Sequence, residues 1–275
     1  MKRIALSAPV GDAPGAVKRA GVPPLMHLAR SLTEVLVVLA LPAFVVVVWA
    51  ITAAVVDNLV FPGPLEAIRG LLLDLGREGY RASILTTVRL LLLSWVISVV
   101  GGALIGFGLG LSAFWSRVFA TPMFAFYCVP LVTLYPVFIL FLGIGEQVRV
   151  VFAIAHALPP MALLVMGATV SIDKNLLKLA DALTLPWHAR LTKIIIPALI
   201  PTLASGARIA LGLTMIGLIL AGMVSATSGL GHELVNNIAN ARVDRITGQI
   251  IFIVILAVVP GLLLRWVEQR VSRYQ

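Results

Sequence analysis

The run Leu179–Pro201, LADALTLPWHARLTKIIIPALIP, sets Asp181, His188, Arg190 and Lys193 into a chain that is apolar almost from end to end. The 275 residues are 60% hydrophobic and 12% charged, with a mean hydropathy of +1.05. Soluble domains have roughly a quarter of their residues charged, so this is the composition of an integral membrane protein. At mid-bilayer a charged side chain costs about 2.5–3.5 kcal/mol. Lys174, Lys178, Asp181, Arg190 and Lys193 together therefore exclude the stretch 171–200 from the lipid. Its pattern is nonetheless helical, because Ile172, Leu176, Leu179 and Leu183 share one face, with Ser171 or Asp173 available as the cap. Thr184-Leu185-Pro186 breaks that helix, a second short helix starts near Trp187, and Ile194–Pro197 leads back towards the membrane. The result is a helix-turn-helix elbow with a Leu185-Pro186-Trp187 corner. A solvated basic loop has little reason to keep such a corner and an apolar face, so the elbow reads as a docking surface for a soluble motor protein.

Outward from the elbow, six windows reach the roughly 20 apolar residues a helix needs to cross a bilayer: 32–56, 84–112, 117–142, 148–170, 202–225 and 246–267. The expected fold is all-α, with six transmembrane helices, a cytoplasmic coupling elbow and both termini cytoplasmic. On that topology the inside Lys and Arg are residues 2, 3, 18, 19, 30, 117, 174, 178, 190, 193, 208, 265, 270 and 273, or 14 of the 21. Those outside are 69, 77, 81, 89, 149, 242 and 245, and the bias is that of the positive-inside rule. A net charge of +9 in so apolar a chain reads as basic cytoplasmic loops, not nucleic-acid binding. Residues 1–31 read as a basic cytoplasmic tail without a signal-peptide core, and 32–275 as one transmembrane domain that includes the elbow at 171–200. The single cysteine, Cys128, excludes an internal disulfide. The run 62–78, PGPLEAIRGLLLDLGRE, reads as an interfacial amphipathic helix started by Pro64, with Leu65, Ile68, Leu72 and Leu75 on one face. Gly102, Gly106 and Gly110 in GGALIGFGLG (101–110) recur every fourth residue, the spacing of a close helix-packing seam. No strand precedes them, which argues against a dinucleotide site.

Polar groups within the spans are candidates for a translocation path. The third window offers Tyr127, Thr133 and Tyr135, beside Thr121 and Cys128, with Pro122, Pro130 and Pro136 leaving carbonyls unpaired. Interhelical hydrogen bonding by the same hydroxyls is the competing reading. His156, mid-span before Pro159-Pro160, is a further candidate for the path. No metal site is expected, since His27, His188 and His232 share no ligand spacing with it. Arg89 reads as a snorkelling anchor.

The elbow resembles the cytoplasmic EAA loop of permeases of the binding-protein-dependent ABC importers, whose pattern is E-A-A, three residues, Gly, nine residues, I-x-L-P. Anchored on Ile194, Ile196 and Pro197, the pattern places Lys178, Leu179 and Ala180 at E-A-A and Thr184 at the glycine. Only Ala180 keeps the family residue among those four. YPVFILFLGIGEQVRVVFAIAHALPP (135–160), SGLGHELVNNI (228–238) and FPGP (61–64) extend the resemblance to the nitrate/sulfonate/taurine/bicarbonate branch, from about residue 35 to the C-terminus. The resemblance implies an importer permease in the bacterial inner membrane that pairs with a second copy, likewise of this chain. A periplasmic or lipid-anchored solute-binding protein delivers its solute, expected to be a small anion such as a sulfonate, nitrate or carboxylate. Cytoplasmic ABC ATPase subunits dock on the elbow, through Lys174, Lys178, Ala180, Asp181, Thr184, Leu185, Trp187 and Arg190. None of the five lysines follows a glycine, so there is no phosphate loop here, and ATP and Mg²⁺ are expected on the partner, with no cofactor and no catalytic residue in this chain.

The rival classes are weaker. An ion-coupled carrier needs intramembrane acids, but Glu34, Asp57 and Glu146 lie at span ends. An intramembrane protease needs a nucleophile–base pair, and none is evident. A channel would leave the elbow unexplained.

Overall fold

The computed structural model describes residues 24–56, 61–225 and 227–271, and among them every element is helical. The chain divides into two compact units, 1–52 and 53–275. Helix α1 (Pro24–Val56) belongs mostly to the first; residues 1–23 of the expected tail lie outside the described residues. The second unit contains α2 (Pro64–Leu75), α3 (Glu78–Gly110), α4 (Ala113–Cys128), α5 (Leu131–Leu142), α6 (Glu146–Val170) and α7 (Lys174–Ala182). After these come α8 (Trp187–Arg190), a π-helical turn (Leu191–Ile195), α9 (Ile196–Ser225), α10 (Leu230–Ala239) and α11 (Val243–Val271).

Four stretches of described helix are long and apolar enough to cross a membrane: Glu78–Gly110, Glu146–Val170, Trp187–Ser225 and Val243–Trp266. The apolar part of α1, Ala40–Val56, is shorter. The expected third span is not one helix. α4 and α5 meet at 94°, where Val129 is extended (φ −68°, ψ 132°) because the following Pro130 disfavours helical backbone before it. The Thr133 hydroxyl and amide then both donate to the Pro130 carbonyl, starting α5 afresh.

Glycine contacts show that this bent pair crosses the bundle and does not turn back. A Cβ at Gly102 would meet Met161 at 2.8 Å, one at Gly106 would fall on the Ala162 carbonyl oxygen, and one at Gly110 would meet Thr169 at 2.6 Å. Positions on α3 and α6 thus rise together, so the two helices are parallel. The chain leaves α3 at one end and enters α6 at the other, and only α4–α5 covers the distance. α9 runs the opposite way: Gly206 abuts Met161, and Gly217 abuts Ala153. Trp95 ties α3 to α9 through its indole N–H on the Ala207 carbonyl (2.8 Å). Leu90, Leu91, Ala153, Leu211, Met215 and Leu218 form the core of this three-helix packing.

The helix that contains the fifth window is longer than the window itself, starting at Trp187 and running to Ser225. Pro197 and Pro201 sit inside the helix. The π-helical turn lies directly before Pro197, with the Ile196 amide on the Leu191 carbonyl, and this wider turn accommodates a ring that would crowd an α-helical one. The elbow proper is therefore α7, the 183–186 turn and the projecting first turns of a long helix.

At the end away from the elbow, α2 buries its small face. Ala67, Gly70 and Asp74 are buried, whereas Leu65, Ile68 and Leu72 of the expected apolar face are exposed. Gly63 N–H reaches the Glu66 carboxylate (3.1 Å) to cap the helix. Two glycines set its fit to α11: a Cβ at Gly70 would lie 2.9 Å from the Asp244 carbonyl, and one at Gly248 would fall on the Ala67 carbonyl. Such close backbone approach is the membrane mode of helix association, with leucines left for lipid.

Candidate functional site

The elbow is built from its own capping groups. Asp173 starts α7 by accepting the Asn175 amide (2.8 Å). At the other end Thr184 N–H donates to Asp181 and Leu185 N–H to Ala180, both at 3.0 Å, the paired bonds of a Schellman ending. That ending needs a left-handed residue after the helix, and Thr184 supplies it at φ 49°. A β-branched residue there costs about 1–2 kcal/mol relative to glycine. Thr184→Gly should therefore stabilise the elbow by about 1 kcal/mol, read as slower hydrogen exchange at amides 184 and 185. Faster exchange would mean that the turn is held by other forces.

Asp181 and Arg190 face each other across the turn at 2.6 Å, so two of the expected docking residues brace the elbow internally. Ala180 is fully buried and Leu185 half-buried. Lys178 is exposed, as are Leu176, Leu183 and Trp187, which leaves an apolar, basic-edged surface uncovered within the chain. The side chain of Lys174 lies outside the described residues.

Within the spans, the structure brings together two of the four path candidates and separates the others. Tyr135 on α5 is fully buried, its hydroxyl 2.8 Å from Ser225 Oγ on α9. Its ring meets Phe152 edge-on at 4.7 Å, and His156 contacts the same Phe152 ring at 4.6 Å. His156 Nδ1 is 3.1 Å from the Phe152 carbonyl. Tyr127 and Thr133 instead lie exposed on either side of the α4–α5 bend.

Sequence reasoning missed a buried polar network at the end away from the elbow. Asp74 Oδ1 accepts from Arg77 Nη1 and Arg245 Nη1, both at 3.0 Å, and Asn237 Nδ2 approaches Oδ2 at 3.5 Å. Asn237 also donates to Gln249 (3.1 Å), whose own amide donates to the Leu230 carbonyl (2.6 Å). Ser83 donates to Glu233 (3.3 Å), which lies 3.7 Å from Arg77. Thus α2, α3, α10 and α11 are tied at one point. Asp74 and Arg77 at i, i+3 and Glu233 and Asn237 at i, i+4 were the visible signals, but both pairs also fit a solvated loop. Nearby, Arg89 pairs with Glu146, and Arg149 is buried with Nη1 on the Ser228 carbonyl (2.8 Å).

Parallel and antiparallel apolar helices around a few buried hydroxyls, with a braced elbow at one end, make a multi-pass membrane protein. The chain belongs to the family of binding-protein-dependent transport system inner membrane components, whose pattern matches residues 98–273. It is 25% identical over 231 residues to the taurine transport system permease protein TauC of Escherichia coli (strain K12), covering 82% of this chain and 84% of that one. SsuC of Bacillus subtilis (strain 168), provisionally named an aliphatic sulfonates transport permease protein, is 23% identical over 248 residues, 86% of this chain and 87% of its own. This is therefore a multi-pass membrane permease of the ABC transporter class, a transport component by family.

Proposed function

We propose that the chain is the translocation subunit of an ATP-driven importer for a small anion such as a sulfonate, nitrate or carboxylate. The elbow carries this reading: it is rigidly capped and internally braced, yet it leaves Leu176, Lys178, Leu183 and Trp187 uncovered. A soluble ATPase that holds ATP and Mg²⁺ is the partner such a surface needs, and its closure would move the elbow and, with it, α6 and α9. The names of the similar permeases support an anionic solute. A solute-binding protein delivers it at the other end, and a second copy of the chain completes the path past Tyr127 and Thr133.

Charge supports the orientation. At the end away from the elbow Arg77 and Arg245 are bound to Asp74, Arg89 to Glu146, and Arg149 is buried, leaving Arg69, Arg81 and Arg242 exposed. The elbow end carries Arg117, Lys174, Lys178, Arg190, Lys193 and Arg265, so it faces the cytoplasm. A sixth crossing by 32–56 would bring the N-terminus to the same side.

The test is co-purification with the ATPase, paired with uptake into vesicles. Trp187→Asp and Lys178→Glu should each lower ATPase retention about tenfold or more, as for loss of an interface anchor. Uptake should require ATP and survive an uncoupler. ATPase retention unchanged in both variants, or uptake that collapses with the uncoupler, sinks the reading.

A further inference from the structure

Arg149 occupies a place where a cation is unwelcome on three counts. It is 5% exposed, so its guanidinium has lost most of its hydration. It lies at the start of α6, three residues after Glu146, where the helix dipole is positive and favours anions. Its Nε is buried without any hydrogen-bond partner, and Nη1 has only the neutral Ser228 carbonyl. Among the described residues no carboxylate comes within ion-pair distance of it. Glu146, one turn back, has Arg89 as its ion-pair partner and reaches Arg149 only through space.

The surroundings are polar and closely fitted. The Tyr135 hydroxyl and Ser225 Oγ face each other at 2.8 Å, and Ser225 stands three residues before Ser228, whose carbonyl holds Arg149 Nη1. Gly229, at φ 95°, lets the backbone pass so close that a Cβ there would lie 3.3 Å from Arg149 Nη1 and 3.1 Å from Thr87 Oγ1. The Thr87 hydroxyl in turn accepts the Leu230 amide (2.9 Å). A leucine or methionine at position 149 would fill the same space without the burial penalty. A buried arginine without an ion-pair partner is explained if an anion completes it during the transport cycle.

We propose that Arg149 is the anion-recognition residue of the translocation path. The oxyanion of the solute displaces the Ser228 carbonyl from Nη1 and fills the vacant Nε in a forked contact. The site takes sulfonates, carboxylates or nitrate and rejects their neutral isosteres. Phe152 and His156, one and two turns further along α6, pack edge-on against each other at 4.6 Å. This inference rests on the chain being an anion importer, and its test separates the two.

The test uses the full-length permease in lipid nanodiscs, with and without its ATPase and a non-hydrolysable ATP analogue. The probe is radiolabelled ethanesulfonate, with ethyl methyl sulfone as the neutral competitor. The unaltered protein should bind the sulfonate without competition from the sulfone. Arg149→Gln should weaken binding by about thirtyfold or more, the loss expected for a buried charge contact. Arg149→Lys, which keeps the charge but not the fork, should fall between. Binding equal in all three proteins, effective competition by the sulfone, or no binding by the unaltered permease overturns the proposal. Should Arg149→Gln fail to assemble, an unchanged affinity in Arg149→Lys overturns it equally. Failure to retain an ATPase would sink the importer reading while leaving this binding comparison intact.

Discussion

Gly106→Leu is expected to abolish the folded protein, and Gly106→Ala to weaken it severely. A Cβ at this position falls on the carbonyl oxygen of Ala162, with the Ala162 carbonyl carbon and the Met166 nitrogen both at 3.0 Å. All three obstacles are backbone, so no side chain can rotate away, and α3 and α6 must separate. Overpacking a tight core by one methyl group costs about 1–3 kcal/mol. Here the penalty exceeds that range, because parting the helices also opens the contacts at Gly102 and Gly110. Gly108, two residues on, supplies the control: nothing lies within 4 Å of its Cβ position. Gly108→Ala should be neutral or stabilise by up to about 1 kcal/mol. Thermal unfolding of the purified proteins and their monodisperse yield separate the two substitutions. A Gly106→Ala protein as stable as Gly108→Ala would show that the α3–α6 contact is looser than the structure has it.

This contrast also shows what could be read from the chain before its structure. Gly102, Gly106 and Gly110 recur at spacing four, and close helix approach in lipid requires small residues on one face, so periodicity alone singled them out. The elbow was legible for a different reason: charges that lipid excludes mark their own compartment. Thr184 shows how far a resemblance can reach, because the position aligned with a glycine takes the left-handed backbone that favours glycine. Proline was a poorer guide. Pro130 breaks the third span and Pro197 does not break the fifth, since a one-residue change of helical register beside Pro197 relieves the clash. α2 defeated amphipathic reasoning because in a membrane protein the leucine face need not be the buried one. Arg149 and the Asp74 network stayed hidden because burial of a charge is a tertiary property. Nothing in the spacing of Arg77, Arg149 or Arg245 distinguishes a buried guanidinium from one in an exposed loop.

Asp74→Asn is expected to destabilise the protein by about 3 kcal/mol, the lower end of the range for breaking a buried ion pair. The side chain of Asp74 is 1% exposed and holds Arg77 and Arg245 together, while those arginines are 43% and 24% exposed and still reach water. Loss of the carboxylate therefore leaves two cations close together without a shared anion, though not wholly desolvated. The asparagine keeps the shape and one acceptor, so the loss measures charge and not a cavity. Because α2, α3, α10 and α11 meet at this network, all four should loosen together, with hydrogen exchange rising in α2 and α10 before the α3–α6 core. Removing charge from both sides should recover much of the loss, since a matched apolar pair can replace a buried ion pair at little cost. Asp74→Leu combined with Arg245→Met should accordingly be more stable than Asp74→Leu alone, while Arg77 keeps Glu233 as its partner at 3.7 Å. Equal stability of Asp74→Asn and the unaltered protein would mean that the glycine contacts of α2 with α11, and not the ion pairs, hold this end of the bundle.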